Sequence, residues 1–210
     1  MDLRISLDRR KIIMKRALIS VLMALVLVIA PAIGANAAST ATVTVTAVPS
    51  FLDISVAPTT WTINGIDGNG TIATNTVYYA NPAGSSGDVT APNATIVDGD
   101  CQFTATNSST VPVNIAINMS DFSGGNAMTN NGTGYSTNGA TTYGASVYVS
   151  GLAWPGGAVT AAASSSSNSI TSLAASGTKK FGVAIKTRTD AWTAGTSLTS
   201  TITLTATSAS

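Results

Sequence analysis

CQFTATNSSTVPVNIAINM, residues 101–119, decides how the chain is built. Cys101, Phe103 and Ala105 alternate with Gln102, Thr104 and Thr106. Beyond the polar knot Asn107-Ser108-Ser109-Thr110, Val111, Val113, Ile115, Ile117 and Met119 repeat the same alternation. A period of two puts one set of side chains on a buried face and the other toward water, as in a half-buried β-strand. Two such runs on either side of a turn predict a hairpin whose strands form a central core pair. Pro112 falls near the start of the second run, where its missing N–H is tolerated. Cys101 shares the parity of Phe103, which predicts burial as a small hydrophobe rather than a thiol open to intermolecular bridging. It is the only cysteine, so it can form no internal disulfide.

Working outward, the same pattern recurs. Ala41, Val43, Val45 and Ala47 alternate with Thr42, Thr44 and Thr46, predicting a strand that opens the domain. Leu52, Ile54 and Val56 predict a second strand, Trp61 and Ile63 a third, and Thr71–Tyr79 a fourth. Residues 81–100 read mainly as loop, with a short strand at Ala94–Val97. The Gly/Asn-rich tract Ser123–Gly144 reads as a long surface loop, followed by a strand at Ala145–Val149 and a turn at Trp154-Pro155-Gly156-Gly157. The Ser-rich stretch Ala161–Gly177 reads as loop around a strand near Ile170–Leu173. Phe181, Val183 and Ile185 mark another strand. Leu198, Ile202, Leu204 and Ala206 alternate with threonines in the last one. The expectation is an all-β fold, a single sandwich of about nine or ten strands with jelly-roll or Ig-like topology, spanning residues 38–210.

Composition agrees. There is no Glu and one Gln, and beyond residue 37 Lys and Arg are few, so straight-chain helix formers are scarce. Ser and Thr make up about a third of residues 38–210, and Thr and Val suit a pleated surface.

The N-terminus carries an address. Arg9, Arg10, Lys11, Lys15 and Arg16 precede the apolar run Ala17–Gly34, which is followed by the small-x-small site Ala35-Asn36-Ala37. This is the pattern of a secretory signal peptide over residues 1–37, with Met14 an alternative start. Pro31 and the Ala35/Ala37 site favour cleavage over a retained anchor, so no membrane span is expected afterwards. The remaining chain carries four basic and seven acidic residues, all Asp. A weakly acidic balance excludes nucleic acid and anionic membrane surfaces as expected partners.

Without His or Glu, Ser-His-Asp, Cys-His and zinc constellations cannot be built. No catalytic residue, metal site or cofactor is expected. Asp98 and Asp100 read as turn residues rather than a glycosidase pair. Asp67-Gly68-Asn69-Gly70-Thr71 resembles the start of a calcium loop but lacks the later ligands, and reads as a turn. Asn69, Asn93, Asn107, Asn118 and Asn131 stand in N-x-[ST] sequons, no more than the composition produces. The Thr-x-Thr arrays at both ends invite an ice-binding reading, against the ordinary one of Thr on the wet face of a strand. Trp61 reads as core. Trp154 and Trp192 read as exposed candidates for glycan stacking.

The stretches FTATNSSTVPVNIAI and AGTSLTSTITLTATSAS, with a signal peptide followed at once by a Val/Thr strand, resemble the camelysin/TasA-type surface proteins, WxL-type surface domains and related pilus subunits. Trp61-Thr62-Ile63 is loosely similar to a W-x-L motif. In filament-forming members of these families a subunit donates its N-terminal strand to the next subunit's sheet, and the resemblance assigns that part to Thr42, Val43, Thr44, Val45 and Thr46; the equal alternative is that this strand folds back into its own sandwich. The expectation is a secreted, non-catalytic structural protein of the cell surface or extracellular matrix, with itself or other surface proteins as partners. The alternative is a monomeric carbohydrate-binding or adhesion module, and a calcium-dependent hydrolase is a third class.

Overall fold

The computed structural model describes residues 41–48, 52–63, 72–81, 89–163, 167–191 and 197–209. Among these residues there is no α-helix; the chain is all-β apart from a 3-10 turn at Asp98–Asp100. The strands are β1 (Ala41–Val48), β2 (Ile54–Ala57), β3 (Thr60–Ile63), β4 (Val77–Tyr79), β5 (Phe103–Asn107), β6 (Val113–Met119), β7 (Ser123–Gly124), β8 (Thr129–Asn130), β9 (Thr142–Val149), β10 (Val159–Thr160), β11 (Asn168–Leu173), β12 (Thr178–Lys186) and β13 (Leu198–Ser208).

They form two sheets. One runs β11-β6-β13-β1-β3, with β7 alongside β13; the other runs β10-β9-β12-β5-β2, with β4 on β12 and β8 on β9. Most pairings are antiparallel; the short β8 lies parallel to β9, and β1 lies parallel to β13, Ala41 opposite Leu198 through Val48 opposite Thr205. Parallel neighbours need a long crossover. Between β1 and β13 the whole intervening chain is the crossover, so the pair joins the first and last strands of the described residues.

Alternation does what it predicts at the level of faces. In β6 the burial pattern alternates strictly from Val113 to Met119. In β1, Val43 and Val45 are buried while Thr44 and Thr46 are exposed. Val43, Ile63, Ile115, Ile202 and Leu204 of the first sheet share one cluster with Phe103, Val147, Phe181 and Val183 of the second. Burying a side chain of this size stabilises by about 1.5–3 kcal/mol, so this common core dominates the fold.

The predicted hairpin does not form. β5 pairs with β12 and β2 in one sheet; β6 pairs with β13 and β11 in the other. Residues 108–112 carry the chain across between sheets. Two alternating runs specify which side chains face inward, and both sheets supply an inward face, so alternation is blind to the choice of partner. The crossing is built on Asn107, which is fully buried. Its Nδ2 donates to the carbonyl oxygens of Val111 (2.9 Å), Leu173 (3.1 Å) and Ala174 (2.9 Å), and its Oδ1 accepts from Ser109 N at 3.0 Å. Val111 is exposed rather than core-facing, because it lies in the crossing and not in the strand.

Other departures have local causes. Of the predicted strand Thr71–Tyr79, residues 72–79 are described, and among these Val77–Tyr79 is strand. Ala94–Val97 makes a single bridge, Thr95 to Ala153, instead of a strand. The tract Ser123–Gly144 is no plain surface loop: Met128, Asn126 and Asn130 are buried, and Asn130 Nδ2 donates to the carbonyls of Met119 and Ala161. Short polar side chains can fold a glycine-rich loop inward when they satisfy buried carbonyls.

Candidate functional site

Two places gather the residues singled out from the sequence. The first is β1. Its side chains Val43 and Val45 point into the common core, and Thr42, Thr44 and Thr46 face the other way. On one side it pairs with β13 along its full length; on the other Ala41–Thr44 pair with Ile63–Thr60 of β3. The proposed donor segment thus lies between β13 and β3 of its own chain's sheet over Ala41–Thr44, with Val45 N donating to Thr59 O at 2.9 Å; from Thr46 to Val48 its described partner is β13.

The second place is the outer face of the β10-β9-β12-β5-β2 sheet. Tyr148 stands on the outward parity of β9 and Tyr79 on that of β4. Their rings meet at 6.5 Å, and both make edge contacts to Trp154, at 5.3 Å from Tyr148 and 5.8 Å from Tyr79. Tyr135, from the loop after β8, lies against Trp154 at 4.7 Å with the planes tilted by 32°. Ile96, Cys101 and Ala184 complete this second apolar cluster. Tyr148 Oη donates to Ala80 O at 2.9 Å. The ring lies across Gly182, where any Cβ would collide with it. Gly144 has a like role: the carbonyls of Gly134 and Thr137 close over it, so the loop carrying Tyr135 can lie flat on the sheet.

Trp154 is therefore half-buried, not freely exposed. The turn that holds it is tied to the preceding loop by Trp154 N to Ala94 O and Ile96 N to Leu152 O, both 2.9 Å. Leu152 and Val97 are the exposed apolar residues beside it. Trp192 lies outside the described residues, as do Ala35, Ala37, Asp67 and Asn69. Trp61 is buried in the common core.

Cys101 is buried as expected, but not on the face of Phe103. β5 begins only at Phe103, and the thiol turns into the cluster of Tyr148 and Ile96. Burial pushes its pKa up to about 12, with the Asp100 and Asp98 carboxylates adding to the rise, so it is a protonated thiol at neutral pH. Asp100 is buried and serves its own loop: it accepts from Val97 N at 2.9 Å and from Asn93 Nδ2 at 3.0 and 3.1 Å. Asp98 accepts from the Ser150 hydroxyl. The two carboxylates thus hold a turn together. Among the described residues no group of three or more Cys or Asp side chains is placed to hold a metal ion.

The aromatic cluster was invisible as a set because Tyr79, Tyr135, Tyr148 and Trp154 come from four segments. One signal was available: Tyr148 shares the parity of Ser146 on β9, an aromatic at a position expected to be wet. No protein-family model matches the chain, and no curated protein or solved structure matches it either. Among the described residues no helix is long and apolar enough to cross a membrane.

Proposed function

We propose that this is a secreted, non-catalytic structural protein of the cell surface or extracellular matrix. Its domain is a single β-sandwich released by cleavage after Ala37, and it assembles into filaments by exchange of its N-terminal strand. The observation that carries the reading is the place of β1: an N-terminal strand inserted between β13 and β3 and supplying Val43 and Val45 to the core. The same strand from a neighbouring copy would make the same pairings, and a head-to-tail exchange that does not close grows a fibre. Absence of His and Glu from the sequence supports a non-catalytic role.

The test is negative-stain electron microscopy of residues 38–210 beside residues 49–210. Filaments from the first and none from the second support strand exchange. Monomers from both end it.

A second reading, a monomeric glycan-binding module, is favoured by one observation, the half-buried Tyr135–Trp154 pair on the outer side of the second sheet. Aromatic faces of this kind stack on sugar rings. Glycan-array binding that is lost in Trp154→Ala, in a protein that stays monomeric, would select it.

A further inference from the structure

The two Thr-x-Thr arrays lie at opposite ends of the sequence, and the parallel β1–β13 pairing sets them side by side in register. On the outer face, Thr42 is flanked by Thr62 of β3 and Thr199 of β13, and Thr44 by Thr60 and Thr201. Thr46 lies beside Thr203 in the next row. These threonines are exposed or half-exposed, while the alternate residues Val43, Val45, Trp61, Ile63, Ile202 and Leu204 are buried beneath them. The result is a grid of hydroxyl and methyl groups three strands wide. Its repeat is about 4.8 Å across strands and about 6.7 Å along them. Thr is restricted at χ1, so each side chain takes few orientations; at the grid's edge the Thr199 hydroxyl meets that of Ser123 on β7 at 2.8 Å.

What such a surface can recognise is bounded by what it lacks. None of the strands in this sheet carries a charged residue. Three of the lysines lie instead on β12 of the other sheet. A phosphate backbone or anionic lipid headgroup finds no cation here. A sugar ring finds no aromatic plane among the outward residues, and a protein partner finds no Trp, Tyr or Arg anchor. A neutral, periodic array of hydroxyls separated by methyls suits a neutral, periodic array of hydrogen-bonding groups. Water in a tetrahedral lattice, with neighbours about 2.8 Å apart, places its second neighbours about 4.5 Å apart, within a few tenths of an ångström of the cross-strand repeat. Hydroxyls would anchor waters at that spacing, and the methyls would confine the waters between them.

We propose that the threonine grid on β3, β1 and β13 binds the surface of ice. This goes beyond the filament reading and is independent of it, since the grid is complete whether β1 comes from its own chain or from a neighbour.

The test is partition of the exported protein into a slowly growing ice front, together with thermal hysteresis. The wild-type protein is compared with Thr44→Lys at the grid's centre and with Thr106→Lys on the outer face of the other sheet. Circular dichroism and thermal unfolding check each fold. The expected result is enrichment in ice for wild type and Thr106→Lys, and loss for Thr44→Lys. Should Thr44→Lys fail to fold, Thr44→Val keeps the shape and removes one hydroxyl, and reduced enrichment is the supporting outcome. Exclusion of the wild-type protein from ice overturns the proposal. So does equal enrichment of all folded variants. A dimer in solution that Thr44→Lys dissociates assigns the face to a second copy and overturns it as well.

Discussion

Asn107 shows what one residue can do in a chain this poor in charge. It stands in a sequon and in a polar knot that reads as a solvated turn. In the structure it is the buried bracket that joins the two sheets, holding carbonyls of residues 111, 173 and 174. Asn107→Ala strands the buried Leu173 carbonyl, unties those of Val111 and Ala174, and leaves a cavity. Since an unsatisfied buried polar group costs on the order of 1–3 kcal/mol, the loss should be about 3 kcal/mol, read as a fall in the urea midpoint. A variant within a few tenths of a kcal/mol of wild type would mean that the crossing is held by something else. The sequence could not assign this role, because a turn Asn and a bracket Asn look the same until the carbonyls they serve are placed around them.

At the scale of the element, β1 is where local pattern and tertiary position part. Alternation and β-branching were enough to predict the strand at Ala41–Val48 and the faces of Thr42–Thr46. They say nothing about which strands flank it. Removing it should open a slot between β13 and β3 and uncover the core that Val43 and Val45 seal, each worth about 1.5–3 kcal/mol. A synthetic peptide of residues 41–48 added to residues 49–210 is therefore expected to bind and raise the thermal midpoint. The same peptide with Val45→Asp should not, because it would bury an unpaired carboxylate. If neither peptide has an effect, or both have the same effect, the slot is not a strand acceptor. β9 makes the complementary point. Its described side chains are buried on both faces from Tyr143 to Val149, since the loop carrying Tyr135 covers the outer one, and Tyr148 on the outward parity is the strand's one hint of that cover.

At the scale of the whole molecule, the two apolar clusters each hold a group that folding keeps protonated. Cys101 in the outer cluster is raised to about 12 from an ordinary value of 9.0, first by burial and then by Asp100 and Asp98. Tyr143 in the common core is raised above its ordinary 10.0, mainly by burial, its hydroxyl donating to Ser120 O at 2.6 Å. Both folded values lie above the unfolded ones. Their contribution is fully present below pH 9 and is lost as pH rises, because the unfolded chain releases protons that the folded chain keeps. Stability to urea should fall steadily from about pH 9 toward pH 12, and Cys101→Ala should flatten the first part of that decline. A stability that stays level across this range would show that neither group stays protonated on folding.

Residue order alone determined that the chain is all-β, which residues of β1, β6 and β13 face inward, and that residues 101–119 hold two strands. It did so because strand periodicity and side-chain chemistry are local. Only the tertiary structure decided that β5 and β6 part into different sheets, that the first and last strands run parallel as neighbours, and that four distant aromatics meet over Gly182. Those outcomes depend on which of several equally apolar faces pack together, and that competition is settled by the shape and hydrogen bonding of the assembled core.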